Sequence, residues 1–283
     1  MPIFDTPEPI AVTIELGVGD VHITATDRTD TIVEVRPSTE TDETDVKAAE
    51  QTRVEYTNGT LVVKGPKARV LDFSNKSRSV DVSIEVPAGT RVHGEASVGD
   101  FRSSGRLGDC RFKTSTGHIQ LDHTGSLRLN TAGGHVTVER VEGNAEISTG
   151  TGRVRVGEID GTAVIKNSNG NTEIGTVTGE VQVRAANGDV AIDRALGGQV
   201  DAKTANGSIR IGEATRGAVA IKTATGDLEV GITEGTAAWL DVNTSFGRVH
   251  NSLAETSPKT EPSGETVELR AHTSYGDITI RRA

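Results

Sequence analysis

The chain alternates apolar and polar residues in short stretches that recur along most of its length. A glycine followed by an x-apolar-x-apolar stretch occurs ten times between Gly99 and Gly276, and most successive glycines are 17 to 19 residues apart. A second alternating stretch lies within each interval, for example "SLRLNT", "NAEIST" and "AVAIKT". Period-two alternation is typical of strands with one buried face. Each repeat is therefore predicted to contain two short strands.

Aligning the repeats places similar residues at the same position of each one. One apolar column contains Phe101, Ile119, Val136, Val154, Val190, Ile209 and Leu228, and a turn column repeats Thr at 114, 131, 149, 204 and 223. Asn-Gly turns could instead join the strands of a β-meander, but a meander does not need like residues at like positions. A solenoid does, because equivalent residues lie about 4.8 Å apart in successive coils. We predict an all-β, single-chain parallel β-solenoid (β-helix) with coils of about 18 residues, right-handed as parallel crossovers usually are.

The regularity of the pattern predicts two parts. Residues 1–95 form a less regular β module that begins and caps the solenoid, and residues 96–283 form the regular coils. Within the first module, a polar stretch predicts one short helix with Val46 and Ala49 facing inward. Near the other end, residues 251–266 are polar and contain two prolines, which predicts a surface excursion.

Charge and composition restrict the partners that we expect. The chain has 30 basic and 40 acidic residues, a net charge of -10, and no run of basic residues. We therefore expect no nucleic-acid binding. No apolar run approaches the length of about 18 residues that spans a membrane, and the start has no secretory leader pattern. A single cysteine excludes an internal disulfide, which fits a reducing compartment. The sequence therefore predicts no membrane insertion and a cytoplasmic location.

Three stretches together resemble a known family. The segments "ELGVGDVHITATDRTDTIVEVRPS", "GSIRIGEATRGAVAIKTATGDLEVG" and "TSYGDITIRR" are similar to bacterial β-strand-repeat proteins labelled "putative adhesins", over nearly the whole chain. The resemblance implies a single-chain β-helix. It implies no catalytic residues, because the shared motif is a repeat signature and the family's function is largely uncharacterised.

Candidate catalytic and metal sites are few. Asp189 and Asp227 lie in one outward column two coils apart, the loose spacing of a carboxylate pair for glycoside hydrolysis, but coils this short leave no groove. Gly-Asp pairs recur, yet the full calcium-binding repeat G-G-x-G-x-D is absent. We predict a protein that is not an enzyme and uses no cofactor.

Two histidines and the cysteine are the other chemically active side chains. His118 and His135 occupy equivalent outward positions in adjacent coils, so their rings could share a metal, although no further ligands have a recognised spacing. They are weak candidates for metal ligands, and the simpler interpretation is that both are exposed residues on a polar face. Cys110 falls in an inward column beside Leu127 and is predicted to be a buried thiol.

The best surface candidate lies near the C-terminal end. Trp239, Phe246 and Tyr275 are three of eight aromatic residues, and Phe246 and Tyr275 share one turn position in neighbouring coils. By register, Trp239 points outward. Exposed aromatic residues on a polar surface predict a partner-binding site, although the same residues could simply cover the end of the solenoid.

These features predict a non-enzymatic scaffold that binds an unknown protein partner, in the manner of an adhesin. The alternatives are a cytoskeletal protein that polymerises end to end, like a bactofilin, and a carbohydrate-active β-helix enzyme. We expect Arg281 and Arg282 to guard the last strand against edge pairing. The sequence therefore predicts a monomer or a small oligomer.

Overall fold

The computed structural model describes residues 1–66, 78–253 and 265–283. These residues form two compact units, Met1–Glu142 and Gly143–Ala283. The sequence-based division between residues 95 and 96 separates an irregular part from regular repeats. It is a different kind of boundary from that between the two compact units, and it stays a prediction. Most of the predicted excursion at 251–266 lies outside the described residues.

Unit 1 consists of strands and one short helix. Its elements are β1 (Ile3–Asp5), β2 (Ala11–Val18), β3 (Val21–Thr26), β4 (Asp30–Pro37), α1 (Glu43–Gln51), β5 (Arg53–Thr57), β6 (Thr60–Lys64), β7 (Val80–Pro87), β8 (Arg91–Val98), β9 (Phe101–Ser104), β10 (Cys110–Thr116), β11 (Ile119–Thr124), β12 (Leu127–Gly133) and β13 (Val136–Val141). One sheet has the order β1-β4-β7-β3-β9-β11-β13 and the other β12-β10-β8-β2-β6-β5. The pairs β1·β4, β4·β7 and β5·β6 are antiparallel, whereas the coils themselves pair in parallel.

Unit 2 is built from parallel strands alone within its described part. Its strands are β14 (Ala145–Thr151), β15 (Val154–Ile159), β16 (Ala163–Asn169), β17 (Thr172–Val177), β18 (Val181–Asn187), β19 (Val190–Ala195), β20 (Gln199–Lys203), β21 (Ile209–Ala214), β22 (Gly217–Thr225), β23 (Leu228–Ile232), β24 (Ala237–Phe246), β25 (Val249–Asn251), β26 (Thr266–Tyr275) and β27 (Ile278–Arg282). Its sheets have the orders β14-β16-β18-β20-β22-β26-β24 and β15-β17-β19-β21-β23-β27-β25. The predicted parallel, solenoid-like β fold is confirmed.

The last coil in the chain is not the last coil in space. Strands β26 and β27 lie between the coil of β22 and β23 and the coil of β24 and β25. The edge of unit 2 is therefore formed by β24 and β25. The prediction that Arg281 and Arg282 guard the terminal edge is wrong, because β27 is paired on both sides. Arg281 instead bonds Glu229, and Arg282 donates to the backbone oxygens of Thr233 and Thr236.

The predicted apolar columns form the core. Val190 pairs with Thr172 on one side and Ile209 on the other, and all three side chains are buried. In unit 1, Phe101 of one sheet meets Phe112 of the other, with ring centroids 5.1 Å apart. Apolar burial contributes roughly 25 cal/mol per Å². Each coil thus gains stability by continuing the column of its neighbour.

The repeated glycine is required by the close approach of successive coils. Gly117 has φ +153°, and a Cβ at this residue would lie 1.9 Å from the backbone oxygen of Gly99. Gly207 has φ +147° and would bring a Cβ to 2.1 Å from the oxygen of Gly188. Any side chain would clash there, and L-residues also disfavour this backbone conformation. The glycine period is therefore a consequence of the coil spacing.

The threonine column ties each corner to the neighbouring coil. The buried Thr223 hydroxyl donates to the backbone oxygen of Gly207 at 2.9 Å, and Thr273 donates to Gly226 at 3.0 Å. Buried polar groups are costly unless they form hydrogen bonds. Threonine fits the position because its hydroxyl donates while its methyl group packs in the core.

The predicted helix forms, but with a different buried face. Asp42 caps its N-terminus and accepts the Thr44 N–H at 2.7 Å. The structure buries Asp45 and Ala48 in place of Val46 and Ala49. Asp45 can be buried because its carboxylate accepts the Ser79 N–H at 2.8 Å. A hydrogen bond therefore determines the inward face here, which hydrophobicity alone does not predict.

A pair of aspartate substitutions tests the inward register. Val190→Asp should lower the free energy of unfolding by about 4 kcal/mol or more, because it removes apolar burial and places an unpaired carboxylate in the core. Ala191→Asp, on the outward face between Glu173 and Arg210, should change it by less than about 1 kcal/mol. Urea unfolding followed by circular dichroism measures both. Equal losses would contradict the assigned faces.

Candidate functional site

The end coil of unit 2 contains no fully buried residue in either of its two strands. Among the described residues, strands β24 and β25 each pair on one side only, so each presents backbone N–H and C=O groups that no described strand pairs. The inward side chains of Leu240 and Val242 are only half-buried, and Val249 is exposed. This coil combines an open sheet edge with apolar surface.

Two of the three predicted aromatic residues come together on this coil. Phe246 of β24 pairs in register with Tyr275 of β26, and their rings stack with centroids 4.9 Å apart and an interplanar angle of 6°. The two residues are 65% and 56% exposed. The predicted shared turn position is therefore observed, and the rings form one exposed apolar plate.

Trp239 is exposed but separate from this plate. It is 59% exposed and faces outward beside Glu268. Trp239 lies seven positions before Phe246 on the same strand, which is about 23 Å at the usual rise per residue. The candidate site therefore consists of two aromatic positions at opposite ends of β24.

Strand β24 lacks the usual protection of an edge strand. Asp241 is its one charged residue, and it contains no proline or lysine. In unit 1, by contrast, the edge strand β5 belongs to an antiparallel hairpin and carries Arg53 and Glu55. Charged residues and prolines discourage pairing with another chain. Within the described ranges, the edge at β24 is thus chemically open to a further strand.

The two candidate metal-binding histidines stack, and one of them has a structural role. The rings of His118 and His135 have centroids 5.0 Å apart and an interplanar angle of 17°. His118 Nδ1 accepts the backbone N–H of His135 at 3.0 Å. Within the described ranges, no group of three or more His, Cys, Asp or Glu side chains is placed to hold a metal ion. The absence of a bound metal stays a prediction.

That hydrogen bond belongs to a series that explains the recurring Gly-Asp pairs. We call the residues that directly follow the repeated glycines the acceptor ladder. In unit 1, Asp20 accepts the Asp100 N–H at 2.8 Å and Asp100 accepts the His118 N–H at 2.7 Å. Because Asp, Asn, Ser and neutral His can all accept a hydrogen bond, the position tolerates each of them.

The acceptor ladder in unit 2 includes both carboxylates considered for catalysis. Asp189 accepts the Ser208 N–H at 2.8 Å, the Ser208 hydroxyl accepts the Asp227 N–H at 3.1 Å, and Asp227 accepts the Asp277 N–H at 2.8 Å. Their position follows from the repeat, so the outward aspartates need no catalytic explanation.

Cys110 is buried as predicted. The residue is 4% exposed, and its thiol donates to the backbone oxygen of Gly108 at 3.3 Å. Burial raises the pKa of the Cys110 thiol from 9.0 to about 12. The thiolate, which is the nucleophilic form, is therefore scarce at neutral pH.

One charged surface escaped the sequence analysis. Equivalent outward positions of β16, β18, β20, β22 and β26 carry Lys166, Arg184, Lys203, Lys222 and His272, which we call the basic column. Each pairs in register with the next. The residues are 18 or more positions apart in the chain, so a search for a basic run cannot find them. Aligning the outward positions of the second strand of each repeat would have revealed them.

The acceptor ladder can be tested by exchanging its acceptor. Asp189→Ala should lower the free energy of unfolding by about 0.5–1.5 kcal/mol, because the Ser208 N–H loses a protein acceptor. Asp189→Asn removes the charge but keeps an acceptor oxygen, so its stability should stay close to that of the original protein. Urea unfolding at fixed salt measures the three proteins. An Ala variant as stable as the Asn variant would contradict the role.

The buried thiol predicts a pH effect at alkaline pH. Because the folded pKa is raised, the contribution to stability is complete below about pH 9 and is lost as the pH rises towards 12. The expected slope is about 1.4 kcal/mol per pH unit in that window. Cys110→Ala should lack this component although its cavity lowers stability at all pH values. Parallel slopes for the two proteins between pH 9 and 11 would contradict the prediction.

Comparisons with known proteins identify a family and similar folds. A family model described as Toastrack DUF4097 matches residues 11–281. No curated protein matches the chain significantly. Within the described ranges, no helix has the length and apolar character needed to cross a membrane.

Several solved structures are similar over nearly their whole length. A "putative adhesin" from Bacteroides fragilis is 14% identical, with 99% of this chain and 95% of that one covered and a TM-score of 0.34. A "putative adhesin" from Parabacteroides merdae is 14% identical, with coverages of 99% and 94% and a TM-score of 0.37. A "putative lipid binding protein" from Parabacteroides distasonis is 15% identical, with coverages of 100% and 95% and a TM-score of 0.29. With TM-scores this low, these likenesses support no inference about binding.

Proposed function

The chain belongs to the Toastrack DUF4097 family, and from that premise we propose that it is a non-enzymatic β-solenoid scaffold that binds a protein partner at the coil of β24 and β25. The observation that carries the proposal is the open edge of β24 with the exposed Phe246–Tyr275 stack at one end. The repeats supply rigidity, and this coil supplies the contact surface.

The mode of binding follows from the chemistry of the edge. An extended segment of the partner adds to β24 as a further strand and hydrogen-bonds its unpaired backbone groups. Such bonds give affinity without strong sequence selection. Side chains at alternate positions of β24 then give specificity.

The aromatic stack supplies the anchor for that segment. Phe246 and Tyr275 bury large apolar areas when covered, and a tyrosine hydroxyl can still form a hydrogen bond at the rim. Asp241 is the one charged side chain on β24. Asp241 is already flanked by Arg270 and His272 of β26, so the preferred partner segment is defined by an apolar residue near Phe246.

A second candidate is self-association through the same edge. The backbone of β24 is complementary to another copy of β24 in antiparallel pairing, and one charge in ten residues opposes it weakly. This supports the polymerising alternative, or a dimer closed by a two-fold axis. Sedimentation velocity across a concentration series, with electron microscopy for filaments, separates these states from a monomer.

A cytoplasmic location is part of the proposal. It is supported by the one buried thiol, Cys110, and by the absence of any partner cysteine. Cell fractionation with an antibody to the full chain tests it, and recovery from the cell surface would contradict it.

Position-specific photocrosslinking tests the binding coil. A photoreactive phenylalanine analogue at position 246 should crosslink one defined partner in cells that make the protein, whereas the analogue at Thr279, on the other sheet, should not. Phe246→Ala should then weaken binding of the purified partner about thirtyfold, the effect of removing a central anchor. Ser245→Ala, on the same strand, is the matched control. Equal crosslinking at both positions would contradict the proposed site.

A further inference from the structure

We propose that the basic column is a binding site for a linear polyanion, specifically an acidic polysaccharide. The column runs across β16, β18, β20, β22 and β26, with one side chain per coil. Strands in a sheet are about 4.8 Å apart, so five positions span about 19 Å. This surface lies on the outer face of a sheet and is separate from the Phe246–Tyr275 stack.

The column carries more positive charge than its surroundings neutralise. Arg184 and Lys203 share one carboxylate, Asp201. Burial alone would raise the pKa of Asp201, but hydrogen bonds to these two cations outweigh it and hold the pKa below its ordinary value. Lys166 and Lys222 are exposed and form no ion pair with any residue of the described ranges. Among the described residues, the four lysine and arginine side chains of the column thus have one carboxylate, that of Asp201, as their ion-pair partner, and His272 lies 3.9 Å from Asp241.

This arrangement differs from other basic residues of the same unit. On the other sheet, Arg194 faces Glu213 at 3.5 Å, and Arg210 and Arg281 both face Glu229 at 3.8 and 2.9 Å. There a cation meets an anion from the next coil, whereas in the basic column a cation meets a cation. Like charges directly opposite on neighbouring strands are destabilising. A bound polyanion removes that repulsion.

Unit 1 shows that the repeat does not impose a basic residue at this position. Its equivalent residues in β2, β8, β10 and β12 are Glu15, Glu95, Lys113 and Asn130. Glu15 also forms an ion pair with Lys64. Mixed charges are therefore compatible with the same backbone, and the concentration of cations is a property of unit 2.

The width and flanks of the column favour a thin polymer over a membrane. The neighbouring outward column contains Val164, Gln182, Asp201, Ala220 and Arg270. Arg270 is paired with Glu268, so the positive surface is a line and not a broad face. On its other side, the exposed small residues are Ser168, Ala186, Ala205, Ala224 and Ser274. A flexible chain can lie flat along this strip with one anionic group near each cation.

Groups suited to sugar hydroxyls lie beyond that strip. Asn187 donates to Asn169 at 2.8 Å, and Asn206 donates to Asn187 at 3.0 Å. Each amide has two donors and an acceptor, so this ladder keeps capacity for a ligand. Single-stranded nucleic acid binders use aromatic side chains for stacking, and the strip beside the column contains only serine and alanine. A polyuronate, with one carboxylate per sugar, fits this surface best.

The overall charge makes the expected binding selective. At a net charge of -10, the molecule as a whole repels polyanions, so binding requires a local cluster of cations. Removing cations from the column should therefore weaken polyanion binding more than removing the same number of cations elsewhere on the protein.

Binding is measured by calorimetry with polygalacturonate of defined length, with neutral dextran of similar length as the ligand control. The variant Lys166→Gln, Lys203→Gln, Lys222→Gln should bind polygalacturonate at least about tenfold more weakly and with a shallower salt dependence, because fewer counterions are released. The control Arg155→Gln, Arg194→Gln, Arg216→Gln removes the same charge outside the column and should change binding less than about threefold. Thermal unfolding of each variant checks folding, and Lys222→Gln alone serves if the triple variant does not fold.

The outcomes decide the proposal. Selective loss in the column variant supports it. No binding of polygalacturonate by the original protein, or equal losses in both triple variants, overturns it. Tighter binding of single-stranded DNA or of vesicles containing anionic lipid than of polygalacturonate overturns the ligand class. None of these results bears on the β24 coil, which photocrosslinking tests separately.

Discussion

The close stacking of equivalent backbone positions is the constraint on which the rest of the structure depends. Gly117 approaches Gly99 so closely that a methyl group would lie 1.9 Å from a carbonyl oxygen. Once the coils are held at this distance, every side chain meets its counterpart in the next coil. Valine then continues an apolar column, Thr223 reaches the neighbouring glycine carbonyl, and Asp189 accepts a neighbouring N–H.

The same constraint explains which surfaces are functional candidates. Interior coils satisfy their backbone groups on both sides, so only an edge can offer them to a partner. The return of β26 and β27 between earlier coils moves that edge to β24 and β25. It also brings Tyr275 beside Phe246, residues 29 positions apart in the chain. The aromatic stack is therefore a product of the inserted coil.

Much of the fold could be predicted because inward positions repeat. The column through Phe101 and Val190, the glycine period and the exposure of Trp239 all follow from alternation and spacing. The order of the last coils was not predicted, although Asn251 occupies the position that Ile280 occupies in the neighbouring coil. A polar residue at this inward position suits an edge coil better than an interior coil. The buried face of the helix also differed from the predicted one, because the Asp45 carboxylate accepts a hydrogen bond from the backbone N–H of Ser79, which is distant in the chain. The basic column was missed because outward positions were compared mainly beside the repeated glycines, and not along the second strand of each repeat.

Stacking also determines how the surface acquires charge. In a sheet whose strands differ in sequence, the charge at one position does not determine the charge at the facing position of the next strand. Opposite charges can therefore face each other. In a repeat, one type of residue at one outward position becomes a line of like charges at the strand spacing, and its repulsion grows with each coil. The sheet with Arg194, Arg210 and Glu213 avoids this by alternating signs. The basic column does not alternate signs, and its cations are spaced regularly, one per coil, as the charged groups of a linear polymer are. A solenoid can thus recognise a periodic ligand through its outward columns, just as it builds its core through its inward ones.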